Sequence, residues 1–303
     1  LLFYINDPSI IVGRNQNTIE EVNQAYVEEK GIRVVRRMSG GGAVYHDRGN
    51  FSFCFIKDDD GSFRDFASFT QPVIEALHKM GAKGAELKGR NDLLIEDKKF
   101  SGNAMYAKNG RMTAHGTILF DADLEEVTKA LKPRKEKFES KGIKSVRSRV
   151  TNIKPYVLPE YQKLTTEEFR DLLLLEIFGV ESRDQVKEFK LTEADWAKVR
   201  EIQAERFGNW EWNYGQSPAF AIQMSQKFPF GFVDFRFNVE QGFIKEVKIY
   251  GDFFGLGDIS DVEASLVGVR FEREAVNQVF ENLDFNKYFG RVTAEEILSL
   301  IFG

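Results

Sequence analysis

The sequence predicts an α/β-type (α+β) fold arranged as two units. Strand and helix patterns alternate over the first 120 residues, helical patterns dominate the next stretch, and a new hairpin pattern begins after a tryptophan-rich segment. A chain of 303 residues is also about twice as long as a typical domain of about 150 residues. We therefore predict one domain over residues 1–213 and a smaller one over residues 214–303.

The first unit alternates apolar runs with turns and amphipathic segments. Thr18, followed three residues later by Glu21, has capping-box spacing and predicts one helix that ends at Gly31. Phe51, Phe53 and Phe55 alternate and predict a strand with one buried face. Further strands are predicted at Leu1–Ile5, Ile10–Val12, Ile32–Val35, Leu93–Ile95, Phe100–Tyr106 and His115–Phe120, and helices at Thr70–Met80, Leu124–Leu131, Glu167–Phe178 and Glu193–Phe207.

The second unit follows the segment Trp210–Tyr214. Phe230–Val239 and Phe243–Tyr250 flank a turn at Gln241 and Gly242, which predicts a β-hairpin. Helical patterns then cover Val262–Val267, Glu274–Glu281 and Thr293–Ile301. We expect a hinge between the units within Phe220–Lys227.

Composition narrows the class of protein. Lys and Arg number 42 and Asp and Glu 47, a formal net charge of −5, which argues against a general nucleic-acid binder. The single cysteine, Cys54, cannot form an intrachain disulfide, so a reducing cytoplasm fits best. No apolar run is long enough to span a membrane, and no signal peptide is evident. Because the chain opens inside an apolar run without Met, we expect residue 1 not to be the natural start.

The segment Arg36–Asn50 carries the first group of candidate residues. Gly40, Gly41 and Gly42 leave the backbone bare, and such loops bind phosphate or carboxylate oxygens closely. The two arginines just upstream would add positive charge. A flexible loop with solvated arginines is the alternative. The glycine spacing matches neither a Walker loop nor a Rossmann fingerprint.

Two further clusters follow. Asp92 opens a predicted buried strand, where it could face a metal ion or a ribose, or cap a turn. Lys99 stands just before a small Ser-Gly pair and could neutralise a phosphate, but Lys98 is an equal candidate on residue pattern alone. His115, beside Gly116, could face a ligand or pack in the core.

Together these motifs resemble those of lipoate-protein ligases of the A type. The similarity covers nearly the whole chain, in the order Arg36–Asn50, Gly89–Asp92, Lys99–Ala104, His115–Leu119, Ser145–Asn152 and Trp210–Phe220. It implies a class II biotin/lipoate ligase fold, a mixed sheet flanked by helices, with a small α+β C-terminal accessory domain. It also implies an enzyme that joins lipoate to ATP as lipoyl-AMP, with Mg²⁺, and passes the lipoyl group to a lysine. The acceptors it implies are apo lipoyl domains of 2-oxoacid dehydrogenase E2 subunits or the glycine-cleavage H protein.

The resemblance also implies roles for particular residues. Lys99 takes the position of the family's essential lysine, which favours it over Lys98. The implied ATP or adenylate residues are Arg37, Gly42, Ala43, Val44, Tyr45, Asn50, Asp92 and Lys99. The implied lipoate residues are Arg37, Ser39, Gly41, His46, Lys99 and His115. Asp92 is the candidate Mg²⁺ ligand. The basic stretch Lys132–Arg149 would reshape around the adenylate or form an ordinary solvated helix and loop.

Three alternatives stay open. An acyltransferase on the same scaffold would need a cysteine nucleophile, and Cys54 lies in an apolar strand between Phe53 and Phe55. A biotin ligase would carry a Gly-Arg-Gly-Arg-type loop, which the sequence lacks. A non-catalytic lipoate- or nucleotide-binding protein would not require the charge that Arg37, Asp92 and Lys99 supply.

Overall fold

The computed structural model describes residues 1–132, 149–214 and 222–302. The strands of the first unit are β1 (Leu2–Tyr4), β2 (Ser9–Val12), β3 (Arg33–Arg36), β4 (Val44–His46), β5 (Asn50–Asp58), β6 (Glu86–Lys88), β7 (Asp92–Ile95), β8 (Lys98–Lys108) and β9 (Arg111–Leu119). Its helices are α1 (Thr18–Glu21), α2 (Gln24–Lys30), α3 (Phe66–Lys79), α4 (Leu124–Ala130), α5 (Thr166–Phe178), α6 (Glu193–Ile202) and α7 (Trp210–Asn213). Short 3₁₀ turns lie at Lys154–Tyr156, Tyr161–Lys163 and Arg183–Gln185.

Two sheets form the first unit. A six-stranded antiparallel sheet runs in the order β1-β5-β9-β8-β7-β6. A smaller sheet runs β3-β2-β4, with β2 parallel to β3 and antiparallel to β4. The predicted α+β fold of sheets flanked by helices is confirmed.

One face of the large sheet packs against α3 and α5. Phe51 and Phe53 are buried there with Leu77 of α3 and Phe169 of α5, as the alternation in β5 predicts. Ser52, which lies between Phe51 and Phe53 in the sequence, is on the opposite face of the sheet, and this face lines the cavity described below. Helix α3 begins four residues before its predicted start, because Asp65 accepts a hydrogen bond from the backbone N–H of Ser68 and caps it there.

The predicted helix from Thr18 to Gly31 is wrong in one respect. It breaks into α1 and α2, because Val22 forms an extended bridge with Leu131. Thr18 does not cap α1 either: its hydroxyl donates to the carbonyl of Asn213, 2.7 Å away. A second difference is the helix predicted over Glu193–Phe207, whose last five residues form a π-helical turn over Gln203–Phe207.

The second unit has its own sheet and core. It contains β10 (Ile222–Phe228), β11 (Gly231–Glu240), β12 (Phe243–Gly251), α8 (Ile259–Leu266), α9 (Arg273–Phe280), α10 (Phe285–Tyr288) and α11 (Ala294–Phe302). The three strands pair antiparallel in chain order, and Phe235, Phe237 and Ile297 lie in one apolar core. The predicted hairpin is therefore confirmed, with one more strand before it.

Most of the range predicted to include a hinge is strand, and the hinge itself stays a prediction. Ile222 to Lys227 belong to β10 and pair along their length with β11, so a bend within them would disturb these strand pairs. Residues 220 and 221 lie outside the described part of the chain. The boundary between residues 213 and 214 stays a prediction.

Contacts between the units join the second to α1 and α3 of the first, and Phe254 also lies beside Gly40 and Gly41. Arg236 of β11 donates to both carboxylate oxygens of Glu20, each at 2.6 Å. Phe254 packs against Phe66 with ring centroids 5.4 Å apart. Within the described residues, no helix is both long and apolar enough to cross a membrane.

Candidate active site

A cavity of about 570 Å³ lies between the two sheets. The small sheet and the glycine-rich turn form one wall, and the large sheet forms the other. The sequence-predicted residues that line the cavity are Arg37, Gly41, Gly42, Ala43, Val44, His46, Asp92, Lys99 and His115. Arg37 and His115, which lie 78 residues apart in the sequence, therefore meet around one space.

Arg37 shapes the glycine-rich turn. Its Nη2 donates to the carbonyls of Gly40 and Gly42, at 2.6 and 2.8 Å, and its Nη1 donates to the carbonyl of Ile11 at 3.0 Å. Its Nε donates to the hydroxyl of Ser39 at 3.1 Å. Burial lowers the pKa of Arg37 to about 10, so the guanidinium stays charged at neutral pH. Arg37 thus holds the turn together and brings a positive charge to the cavity wall.

Arg36, the preceding residue, is turned away from the cavity. Its guanidinium donates to the carbonyls of Gln16 and Trp212, at 2.6 and 2.8 Å, and to the hydroxyl of Thr18 at 2.7 Å. Burial lowers the pKa of Arg36 to about 10. Arg36 therefore fastens α7 to the first strands rather than serving a ligand.

Lys99 and Asp92 face each other on the opposite wall. The Nζ of Lys99 lies 2.7 Å from the carboxylate of Asp92, and both side chains are about one-third exposed, at 36% and 38%. A methyl group on Gly102 would lie 3.0 Å from this Nζ, so the glycine leaves room for the lysine to lie against the strand. Lys98 is exposed and does not line the cavity.

The backbone of Lys99 is fixed from outside the hairpin. Its N–H donates to the carbonyl of Arg149 at 2.7 Å, and its carbonyl accepts from the N–H of Thr151 at 2.9 Å. The described end of the Ser145–Asn152 segment therefore lies alongside Lys99. Residues 133–148, most of the basic stretch, lie outside the described residues, whereas Lys132 and Arg149 line the cavity.

Two histidines line the cavity. Nε2 of His115 is 3.0 Å from the hydroxyl of Ser39, and Nδ1 of His46 is 2.9 Å from Nδ2 of Asn6. Burial, with the nearby charge of Arg37, lowers the pKa of His46 to about 4 and that of His115 to about 3. Both rings are therefore neutral near pH 7.

Three predicted contact residues are not brought to the cavity surface. Ser39, Tyr45 and Asn50 are buried behind it. Tyr45 points to the opposite side of β4 and packs with Ile10, because neighbouring residues of a strand face opposite sides. Asn50 donates through Nδ2 to the carbonyl of Tyr45 at 3.1 Å and so links the start of β5 to β4. Their ligand contacts stay predictions.

The cavity also includes residues that the sequence analysis did not assign. Tyr4, Ser52 and Thr117 project from the large sheet, and their strand alternation could have indicated them. Arg90 stands beside Asp92 and donates to the carbonyls of Phe230 and Asp252 in the second unit. No sequence signal could have placed Asp252 here, because it lies 160 residues from Asp92.

Acidification is expected to destabilise the protein through these histidines. Their folded-state pKa values lie below the usual value of 6.5, so the unfolded chain takes up protons first. The free energy of unfolding should fall as the pH drops from 6.5 towards 4, by about 1.4 kcal/mol per pH unit for each histidine. Urea midpoints at pH 7.5 and pH 5.0 measure the effect, and His46→Gln should reduce the difference between them. An unchanged pH dependence in that variant would contradict the assignment.

Comparison with family models gives two matches. Residues 1–178 match the model described as the lipoyl protein ligase A/B catalytic domain. Residues 217–301 match the model described as the bacterial lipoate protein ligase C-terminus.

The chain is also similar to individual proteins of the same kind. The chain is 53% identical over 303 residues to lipoate-protein ligase LplJ of Bacillus subtilis. This match covers all of this chain and 90% of that protein. Among solved structures, P. falciparum LipL1 in complex with lipoate matches with a TM-score of 0.76 at 27% identity, over 98% of this chain and 83% of that one. A lipoate-protein ligase A bound with ATP matches with a TM-score of 0.58 at 28% identity, over 70% and 84%.

Proposed function

The chain belongs to the lipoate-protein ligase family, and we propose that its cavity joins lipoate to ATP as lipoyl-AMP and then transfers the lipoyl group to a lysine of an acceptor domain. One observation carries this proposal. Lys99, paired with Asp92 on the large sheet, faces the turn that Arg37 holds together across a single cavity. Each wall presents a cationic side chain, Arg37 on one and Lys99 on the other, and such a pair suits two anionic reactants.

The first step needs positive charge because both reactants are anions. A carboxylate oxygen of lipoate attacks the α-phosphorus of ATP, a new O–P bond forms, and pyrophosphate leaves with the electrons of the broken bond. Lys99 and Arg37 offset the repulsion between the reactants, and the partly enclosed cavity strengthens the effect. No protein nucleophile takes part.

Asp92 gives Lys99 a partner before the substrates arrive. The 2.7 Å ion pair holds the ammonium at the cavity wall, and both groups are exposed enough to exchange it for new partners. Arriving phosphate oxygens would take over Lys99 and leave the carboxylate of Asp92 available.

Mg²⁺ fits this arrangement through Asp92. The described residues contain no group of three His, Cys, Asp or Glu side chains that could hold a metal ion. Mg²⁺ in nucleotide sites is held by one or two carboxylates together with substrate phosphates and water, so a lone carboxylate suffices. Asp92 would hold the ion, whose charge, when it is bound, lowers the repulsion at the phosphates.

In the second step the neutral amine of the acceptor lysine attacks the acyl carbon of lipoyl-AMP. A C–N bond forms, the bond from the acyl carbon to the phosphate oxygen breaks, AMP leaves, and the nitrogen releases a proton to solvent. Lys99 stabilises the negative charge that develops on the carbonyl oxygen or on the departing phosphate. The acceptors we propose are apo lipoyl domains of 2-oxoacid dehydrogenase E2 subunits or the glycine-cleavage H protein, in the cytoplasm.

Incubation of the protein with lipoate, Mg-ATP and an apo lipoyl domain tests the function. We expect the mass of the acceptor to rise by one lipoyl group and AMP to form in equal amount. A parallel reaction without ATP, supplied with an octanoylated donor protein, tests the acyltransferase alternative. Transfer only in that second reaction, or lipoate binding without AMP, would contradict the proposal.

Cys54→Ser is expected to keep most of the ligation activity. Cys54 lies on the same face of β5 as Ser52, but burial raises the pKa of its thiol to about 11, so almost no thiolate forms near pH 7. Initial rates of acceptor lipoylation by the variant and the unsubstituted protein make the comparison. A loss of a hundredfold or more would favour the cysteine mechanism.

A further inference from the structure

The cavity has a second polar end on the same face of the large sheet, three strands away from the strand that carries Lys99. Four residues align across neighbouring strands on the cavity face: Tyr4 pairs with Ser52, Ser52 pairs with Thr117, and the N–H of Gly102 contacts the hydroxyl of Thr117. The Nζ of Lys99 lies over Gly102. Tyr4 and Ser52 therefore mark one end of a row whose other end is the reactive lysine.

The length of this row matches the substrate. Neighbouring strands lie about 4.8 Å apart, which places Ser52 about 10 Å and Tyr4 about 14 Å from Gly102. An extended eight-carbon acyl chain has seven C–C bonds and spans about 9 Å, because each bond of about 1.5 Å advances the zigzag chain by about 1.3 Å. With the carboxylate at Lys99, the far end of the chain reaches Ser52, and Tyr4 lies on the next strand beyond it.

His46 adds a third polar group at this end. Asn6, two residues after Tyr4, donates through Nδ2 to Nδ1 of His46, which places the ring proton on Nε2. His46 is 3% exposed and lines the cavity, and its Nε2 has no hydrogen-bond partner among the residues that the structure describes. A buried N–H donor without an acceptor is uncommon in a folded protein and suits a group that a ligand brings.

We propose that His46, Tyr4 and Ser52 determine the specificity for the acid substrate. They favour an acyl chain that ends in a cyclic disulfide over one that ends in a methyl group. This inference rests on the function proposed above. Sulfur is a weak hydrogen-bond acceptor and is polarisable, so a dithiolane ring can face the N–H and hydroxyl groups. The methyl end of octanoate would instead leave the Nε2–H of His46 without a partner, which binding sites discriminate against.

Acid-dependent ATP–pyrophosphate exchange tests this inference with lipoate and octanoate as alternative acids. The unsubstituted protein should show a kcat/KM about tenfold higher for lipoate, the size expected from one weak hydrogen bond. His46→Leu should remove most of that preference, and Tyr4→Phe should reduce it severalfold. His46→Gln, which keeps an N–H group near the Nε2 position, should preserve it.

Tyr26→Phe is the matched control. The hydroxyl of Tyr26 donates to Glu126 outside the cavity, so its removal should leave the ratio between the two acids unchanged.

The possible outcomes separate this inference from the proposed function. No exchange with either acid in the unsubstituted protein would overturn both. Exchange with equal kcat/KM for the two acids, or a preference that survives both His46→Leu and Tyr4→Phe, would overturn the inference alone. If His46→Leu loses exchange with both acids, Tyr4→Phe decides, together with calorimetric titration of each acid without ATP: equal affinities in the unsubstituted protein would count against the inference.

Discussion

Lys99→Ala is expected to lower acid-dependent ATP–pyrophosphate exchange by at least about a hundredfold. Removing one charged donor from a site where negative charge develops typically costs about 3 kcal/mol of activation free energy. The loss should fall mainly on kcat, because the lysine acts on charge that appears during the reaction. Its side chain is about one-third exposed, so the fold should tolerate the change, and the urea midpoint should shift little.

Lys98→Ala is the matched control. The two lysines are adjacent and chemically identical, but Lys98 is exposed on the other side of β8. The exchange rate of this variant should stay close to that of the unsubstituted protein. Equal losses in the two variants, or a loss in Lys98→Ala alone, would reject the assignment of Lys99.

Arg37→Lys should lose both stability and exchange activity although it keeps the positive charge. A lysine has a single nitrogen and cannot reach the carbonyls of Ile11, Gly40 and Gly42 together. Each acceptor left without a partner costs up to about 1–3 kcal/mol, and these three are partly buried, so we expect a loss of about 3 kcal/mol in the free energy of unfolding. Misplacement of the turn should lower the exchange rate about a hundredfold.

Urea unfolding and the exchange assay together check this expectation. Arg33→Lys is the control, because Arg33 is exposed on β3 in the same small sheet. If Arg37→Lys retained full stability and lost only activity, the arginine would act on substrate alone. If it retained both, charge at this position would be sufficient.

Residue patterns within short segments predicted most of the helices and strands. The alternation of Phe51 and Phe53 requires a strand with one buried face, and the structure buries both rings against α3 and α5. The hairpin at Gln241 and Gly242 also depends on adjacent residues, both of which adopt positive φ there. These predictions hold because their causes act within a few residues.

The errors arose where distant segments compete with local signals. Thr18 has the sequence of a helix cap, but its hydroxyl bonds to Asn213 instead, and Val22 leaves the helix to pair with Leu131. Similarly, the residue pattern predicts only that Arg37 binds anions. Its hydrogen bonds to backbone carbonyls show that it also stabilises the glycine-rich turn. A pattern within one segment cannot reveal a partner that folding brings from elsewhere.

The chemistry of the candidate site was set by the sequence alone: bare glycines beside arginine, and a lysine before a Ser-Gly pair, are residue types suited to holding anions. Tertiary structure decided which of them face one another. Lys99 lines the cavity and Lys98 does not. Tyr45 and Asn50 are buried outside the cavity lining, whereas Arg90 and Asp252 belong to it. The reason is geometric, since the side of a strand on which a residue lies follows from its register with neighbouring strands, and that register depends on packing across the whole domain.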